Sequence, residues 1–310
     1  MTAVRDETVL TLEEAAQLRI GPAALALGVF DGVHRGHQAL LAAAREAAAA
    51  RGARPVALVF DPAPVEVLHP ERSLSRLAPL AENLAHITTA GVRPVAIRFD
   101  EALRDLPAED FLGRLGPGIT PVAMVMTPDS AFGKDRAGTP EHLASVGAEH
   151  GWEVVHLDPE VDDGRISSTR IRRALADGDV PGATNLLGRF PALTGTVVRG
   201  DGRGRELGFP TANLAFGYHA ALPALGIYAG LARGHGALVS IGRRPVFHTD
   251  GEVVVEAHLL DFDADLYDQV LRVELVARLR EERTFASVHA LVERMKLDEV
   301  EARTALASVL

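Results

Sequence analysis

The feature that most constrains this fold is a change of rhythm partway along the chain. Up to about residue 187, short apolar runs alternate with helix-forming stretches. Residues 24–30 (ALALGVF), 55–60 (PVALVF), 94–99 (PVAIRF), 121–126 (PVAMVM) and 152–157 read as strands. The Ala-rich stretch 37–50, and residues 80–90 and 107–115, read as helices. Strands apolar on both faces must be covered on both faces, so this half predicts a parallel sheet between helices, an α/β domain. Such sheets hold ligands at the carboxyl ends of their strands, which points to the loops after Phe30, Phe60 and Met126. After Gly188 the rhythm becomes β-only, with strands expected at 193–198, 226–231, 237–241, 253–260 and 271–279. A helix over 285–306 follows. That half predicts an antiparallel barrel or sandwich closed by one terminal helix, with the boundary near 185–190.

The length, 310 residues, suits two such domains. Cysteine is absent, which excludes disulfide scaffolds, thiolate zinc sites, iron–sulfur clusters and cysteine nucleophiles. A formal charge of −10 speaks against a general nucleic-acid coat or a binder of anionic membranes. No apolar run approaches the ~20 residues that span a bilayer, and the acid-containing N-terminus has no signal-peptide pattern. The expectation is a cytoplasmic protein with no nucleic-acid or membrane partner; a homo-oligomer stays open. Lys134 and Lys296 are the only lysines, and neither stands in a GxxxxGK(S/T) loop, so a P-loop is excluded. Nucleotide phosphates would have to be met by histidine, arginine, backbone amides and a metal.

Gly28-Val29-Phe30-Asp31-Gly32-Val33-His34-Arg35-Gly36-His37 joins the first strand to the first long helix. Its glycines allow a tight turn that brings backbone amides close to a ligand. His34 and His37, three apart, face one side of the helix start. A helix N-terminus attracts anions, and two imidazoles there can donate to phosphate oxygens. That arrangement suits the charge of a phosphoryl-transfer transition state. An isolated HxxH would read as a glycine turn with two surface histidines; the order strand, glycines, helix favours the site. Ile166-Ser167-Ser168-Thr169-Arg170-Ile171-Arg172 places three hydroxyls before an Ala/Leu/Arg helix. Its capped N-terminus and Arg172 can hold a polyphosphate, the plain alternative being an N-cap followed by solvated arginines.

In the second half, residues 195–213 (GTVVRGDGRGRELGFPTAN) form a glycine loop. Gly200, Gly204 and Gly208 permit close backbone approach to phosphates, and Arg203 and Arg205 bring positive charge. Thr211 and Asn213 offer oxygen ligands that a hard Mg²⁺ accepts. Arginines outnumber carboxylates between residues 165 and 205 although the whole chain is acidic. An RNA surface would also be basic, but no aromatic platform accompanies it. Asp261, Asp263 and Asp265 lack the glycine and distal glutamate of an EF-hand and read as a solvated turn.

The GxFDGxHxGH string resembles the HxGH signature of the nucleotidyltransferase superfamily, in the form found in prokaryotic bifunctional riboflavin kinase/FMN adenylyltransferases. The ISSTxIR segment and the glycine loop ending in PTAN are similar to segments of the same family. The resemblance implies a Rossmann-like, HxGH-type nucleotidyltransferase domain over 1–186. It implies an all-β riboflavin-kinase-like barrel with a C-terminal helix over 187–310. The implied activities are phosphorylation of riboflavin to FMN by MgATP, then transfer of AMP from ATP to FMN to give FAD and pyrophosphate. Riboflavin, FMN, FAD and ATP would be the ligands and Mg²⁺ the cofactor. His34 and His37 would contact the ATP phosphates, with Gly28, Phe30, Asp31, Gly32 and Gly36 around them. Ser167, Ser168, Thr169 and Arg172 would bind the leaving pyrophosphate. Glu256, in Val255-Glu256-Ala257-His258, would take the proton of the ribityl 5′-hydroxyl; without the resemblance it reads equally as an exposed strand glutamate.

The chain departs from the family pattern in several places. It has Asp61-Pro62-Ala63-Pro64 for a DPHP-like segment, Asn83 near a frequent lysine, and Thr127 and Ser130 in a G-x-(D/N)-F-x-F-G segment. Asp61, Asp129 and Phe132 remain there and are the implied flavin contacts. Ser240, Val246 and Asp268 are further departures. Two other readings stay open: a riboflavin kinase whose first domain has drifted to another nucleotide or flavin, and a flavin-binding regulator without turnover.

Overall fold

The computed structural model describes residues 9–72, 74–200, 202, 204, 207–243 and 252–309. Two compact units divide the chain, Met1–Leu74 with Leu80–Ser167, and Ser75–Pro79 with Ser168–Leu310. Residues 168–186, which the sequence assigns to the end of the first domain, therefore lie in the second unit.

In the first unit the elements run α1 (Leu12–Ala15), β1 (Gly21–Gly28), α2 (Arg35–Ala50), β2 (Arg54–Asp61), α3 (Pro64–Leu68), α4 (Leu80–Thr89) and β3 (Arg93–Arg98). Then come α5 (Glu101–Arg104), α6 (Ala108–Leu115), β4 (Ile119–Met126), a 3₁₀ turn (Lys134–Arg136), α7 (Pro140–His150) and β5 (Glu153–His156). All strand pairings are parallel, in the order β3-β2-β1-β4-β5. Strands after β1 are laid on one side up to β3 and on the other from β4. The reversal opens a crevice at the carboxyl ends of β1 and β4. Alternation along the strands separates two cores. Ala24, Ala26, Ala57 and Ala123 face the Leu41, Ala44 and Ala48 stripe of α2; side chains this small let the Ala-rich helix lie close to the sheet. Leu25, Leu58, Ile97 and Met124 face the other way, against Phe111, Leu112 and Leu115 of α6.

The second unit holds α8 (Ser168–Asp177), α9 (Val180–Leu187), β6 (Ala192–Val198), β7 (Ala212–Ala215), β8 (Gly226–Ala232) and β9 (His235–Arg243). It ends with β10 (Val253–Leu259), β11 (Val270–Arg280) and α10 (Val288–Leu306). The strands close an antiparallel barrel in the order β10-β7-β6-β11-β8-β9, with β9 pairing back onto β10. Its interior is filled by residues such as Val197, Leu214, Tyr228, Val239, Val255 and Val273. Burial pushes the Tyr228 phenol up from its ordinary pKa, and its hydroxyl donates to the Ala224 carbonyl at 2.5 Å. Ala302 and Leu306 of α10 dock outside, on Ala229 and Leu238.

Three expectations shift in detail. The first strand ends at Gly28, because Phe30 adopts a left-handed φ of 53° that no strand accommodates. The barrel gains a four-residue strand, β7, inside the stretch read from the sequence as loop. Asp261 is not merely solvated: the Arg303 guanidinium forks onto it at 2.7 and 2.9 Å and holds its carboxyl below the usual range.

Candidate active sites

Between β1 and α2 the backbone is left-handed at Phe30 (φ 53°), Gly32 (φ 77°) and Val33 (φ 38°). Glycine tolerates this, whereas each non-glycine there costs on the order of 1–3 kcal/mol, so the surroundings must impose the turn. Phe30 and Val33 are buried in the core. The Val33 N–H donates to the Phe30 carbonyl (3.1 Å) and Gln38 Nε2 to the Val33 carbonyl (2.9 Å). The Gly32 N–H donates to Asn83 Oδ1 (2.9 Å), so that expected phosphate-binding amide already has a protein acceptor. His34 is the N-cap of α2, its Nδ1 accepting from the His37 N–H at 3.3 Å. Since Nδ1 accepts, the neutral ring carries its proton on Nε2. The two imidazoles stack, with centroids 3.7 Å apart and planes 15° apart, and Phe30 lies 5.1 Å from His37. Asp31 and His34 are both buried. A Cβ at Gly36 would lie 3.3 Å from the His34 ring and 3.7 Å from the Ile166 carbonyl, which sets Ile166 beside the histidine turn.

At the carboxyl ends of β1, β2 and β4 lies a cavity of about 720 Å³, within the size range of small-molecule pockets. Phe60, Phe99, Phe111 and Phe132 line it. They meet edge to face, with Phe60–Phe99 centroids 5.8 Å apart, Phe60–Phe111 6.1 Å and Phe111–Phe132 5.8 Å. Arg104, Asp105, Lys134, Asp135 and Arg136 supply its charged lining. Arg104 forks onto Asp105 at 2.9 and 2.8 Å, and those hydrogen bonds hold the Asp105 carboxyl below the usual range. Of the three expected flavin residues, Phe132 lines this cavity. Asp61 and Asp129 stand outside its lining: Asp61 ends β2, and Asp129 accepts from Thr127 Oγ1 (2.9 Å) and pairs with Arg165. Phe60, Phe99 and Phe111 went unread in the sequence. The available signal was that expected strands 55–60 and 94–99 both end in phenylalanine.

Ser167 is the last residue of the first unit, and Ser168 and Thr169 open α8 of the second. Arg172 Nε donates to the Ser75 carbonyl at 2.5 Å, a partner from within the second unit.

On the barrel, Glu256 of β10 is paired in register with Asn213 of β7 on one side and Ser240 of β9 on the other. Cross-strand partners share a face with Cβ atoms about 5 Å apart. Val255, Ala257, Ala212 and Leu214 point into the barrel, so Glu256 and Asn213 take the opposite face by alternation. The glycine loop lies against that face. A Cβ at Gly200 would fall 2.4 Å from Asn213 Nδ2, and one at Gly204 would fall 2.4 Å from the Phe209 carbonyl and 3.2 Å from Thr211 Oγ1. Gly200 and Gly204 therefore leave the room that Asn213 and Thr211, the two candidate metal ligands, occupy. His258 Nδ1–H donates to the Pro210 carbonyl (2.7 Å) and Phe209 meets the same ring edge-on at 5.5 Å, fixing the chain just before Thr211. Gly208 is left-handed (φ 88°). Arg203, Arg205 and Val246 lie outside the described residues.

A family model described as FAD synthetase matches residues 17–170, and one described as riboflavin kinase matches residues 187–306. The bifunctional riboflavin kinase/FMN adenylyltransferase of Pseudomonas fluorescens is 39% identical over 288 residues, covering 91% of this chain and 92% of that protein. The Escherichia coli K12 protein of the same name is 36% identical over 287 residues, covering 90% and 91%. A solved structure described as a macrolide-efflux protein from Streptococcus pneumoniae aligns with a TM-score of 0.81 at 30% identity, over 98% of this chain and 97% of that one. Efflux describes that protein alone; among the described residues here no helix is long and apolar enough to cross a membrane. Two family models in the expected order, and identity above 30% across nine-tenths of the length, place the chain in the bifunctional riboflavin kinase/FMN adenylyltransferase family.

Proposed function

We infer that this chain makes FAD in two steps. Riboflavin and ATP give FMN and ADP; FMN and a second ATP then give FAD and pyrophosphate. The observation that carries the reading is that each half holds its own cluster of side chains suited to phosphate or its metal. One is the stacked His34–His37 pair at a helix N-terminus, the other the glycine-covered Asn213–Glu256 face of the barrel. We assign the adenylyltransferase to 1–186 and the kinase to 187–310.

In the kinase step the ribityl 5′-hydroxyl attacks the γ-phosphorus, its proton passes to the Glu256 carboxylate, and ADP leaves. Such general-base help is worth ~10²–10⁴ in rate. Thr211 Oγ1 and Asn213 Oδ1 would hold Mg²⁺, and two neutral oxygens suit an ion that keeps waters and phosphate oxygens as its other ligands. When bound, Mg²⁺ neutralises the developing charge on the transferred phosphoryl group. The backbone at Gly200, Gly204 and Gly208 is assigned to the phosphates, as is Arg205, which lies outside the described residues.

In the adenylyl step an FMN phosphate oxygen attacks the α-phosphorus and pyrophosphate leaves without a covalent enzyme intermediate. The Nε2–H of His34 and the ring of His37 stabilise the added negative charge, with the backbone from Gly28 to Gly36 around them. Ser167, and Ser168, Thr169 and Arg172 after it in the chain, are assigned to the pyrophosphate. The four-phenylalanine cavity suits the flat tricyclic isoalloxazine, with Phe132 in its lining, and Asp61 and Asp129, outside that lining, are assigned to FMN atoms beyond it.

Incubation with riboflavin, ATP and Mg²⁺, followed by chromatography, is expected to yield FMN and then FAD. His34→Ala lowers FAD formation by about 10²–10³ and spares FMN formation. Glu256→Gln lowers FMN formation by about 10²–10⁴ and spares FAD formation from supplied FMN. FMN as the sole wild-type product would remove the adenylyltransferase half, and loss of both activities in His34→Ala would contradict the domain assignment. Replacing ATP by CTP or GTP in the second step tests for a drifted nucleotide choice.

A further inference from the structure

We propose that Asn83 is a positioning residue for adenylyl transfer, acting through the backbone of the histidine turn; this rests on the reading of the first unit given above. The residues that α4 buries are Asn83, Leu84 and Ile87. Leu84 and Ile87 join the apolar core against the sheet. Asn83, only 4% exposed, instead presents Oδ1 to the Gly32 N–H, 51 residues earlier in the chain, at 2.9 Å. A buried amide is retained only where its polar atoms are bonded, because leaving either partner unmatched is costly.

The location of that bond gives it a role beyond packing. Phe30, Gly32 and Val33 are all left-handed, and such backbone persists only where its surroundings over-determine it. The Val33 N–H to Phe30 and the Gln38 amide to Val33 brace the ends of the turn. Asn83 braces its middle. His34 follows Val33 directly, and its cap bond to the His37 N–H and its stack on the His37 ring inherit whatever orientation the turn delivers. Without the Asn83 oxygen the buried Gly32 N–H loses this acceptor, the turn relaxes, and the Nε2–H of His34 swings away from its working direction. A displacement of about 1 Å in a positioned group can cost 10²-fold in rate.

The variants are Asn83→Leu, close in size without an acceptor, and Asn83→Asp, which keeps an acceptor oxygen. With FMN and ATP, Asn83→Leu is expected to lower kcat for FAD formation about 10–100-fold. KM for FMN should not change, since α4 contributes nothing to the cavity lining. FMN formation by the same preparation stays at the wild-type rate and reports that the protein is intact. Asn83→Asp retains most of the kcat. In ¹⁵N spectra the His34 imidazole should show a single Nε2–H pattern in the wild type and a tautomer mixture in Asn83→Leu. Wild-type kcat in Asn83→Leu overturns the proposal, as does equal loss in both variants or a fall matched by a rise in the FMN KM. If the wild type makes no FAD at all, the reading of the first unit falls. The His34 signals still decide the role of Asn83, because an unchanged pattern in Asn83→Leu overturns it.

Discussion

At Gly200 the volume a side chain would need is already taken by the Asn213 amide, 2.4 Å from where a Cβ would stand. No real Cβ sits that close, so Gly200→Ala must push either the loop or Asn213 aside. Asn213 is buried and short, with few alternative rotamers, and it shares its face with Glu256. The expected result is a loss of FMN formation of about 10–100-fold, from a misplaced ligand beside an intact base. FAD formation from supplied FMN stays unchanged. Steady-state rates of both half-reactions on one preparation check this, and an unaffected kinase would mean that the loop does not press on Asn213 in the working enzyme. At this scale the sequence offers candidates where chemistry dictates residue type. Imidazoles, hydroxyls and closely spaced glycines advertise phosphates before any fold is known. Asn83, Phe99 and Phe111 were not readable, because their roles arise only when α4, β3 and α6 are brought against the strand ends.

At the scale of elements, α10 is held to the barrel by charge as much as by apolar contact. Asp298, on the inner side of the helix, accepts a fork from Arg280 of β11 at 2.8 and 2.7 Å and a further bond from Arg294 at 2.7 Å. Arg294 in turn reaches Glu301 at 2.7 Å. The Asp298 side chain is 3% exposed, and those of Arg280 and Arg294 are 15% and 17% exposed. Removing the carboxylate takes the forked partner from a poorly solvated Arg280 and leaves Arg294 with Glu301. Asp298→Ala is therefore expected to destabilise the second unit by about 3–5 kcal/mol, measured as a lower urea midpoint for loss of riboflavin kinase activity. A midpoint equal to the wild type would mean that the helix is anchored by Ala302 and Leu306 alone. The same inward charges explain what the sequence concealed. A run of helix formers located α10, but an inner face carrying Arg294 and Asp298 offers no apolar stripe from which docking could be read. Strand β7 was hidden for a different reason. It is four residues long and begins within the PTAN string, where ligand-bearing residue types masked the alternation of Ala212 and Leu214 inward with Asn213 outward. The parallel sheet was plain because long runs such as 55–60, apolar on both faces, leave little other way to bury themselves.

At the scale of the whole molecule, the two units have separate apolar clusters: no residue of the sheet's two clusters recurs in the barrel's. The stacked histidines belong to one unit and the Glu256 face to the other. Neither chemical step, as assigned, needs a side chain of the other cluster, so the intermediate FMN is a complete and stable product of the first reaction. It follows that the two activities should complement each other between molecules. His34→Ala protein alone, given riboflavin, ATP and Mg²⁺, accumulates FMN and stops. Glu256→Gln protein alone leaves riboflavin largely unconverted but adenylylates FMN when supplied with it. A mixture of the two is expected to produce FAD after a lag, during which FMN builds up in solution toward the KM of the second step. The lag shortens as more of the His34→Ala protein is added, because that protein sets the rate at which FMN appears. Chromatography at successive times resolves both flavins. A mixture that converts supplied FMN but forms no FAD from riboflavin, while FMN fails to appear in solution, would mean that FMN is handed on within a single chain.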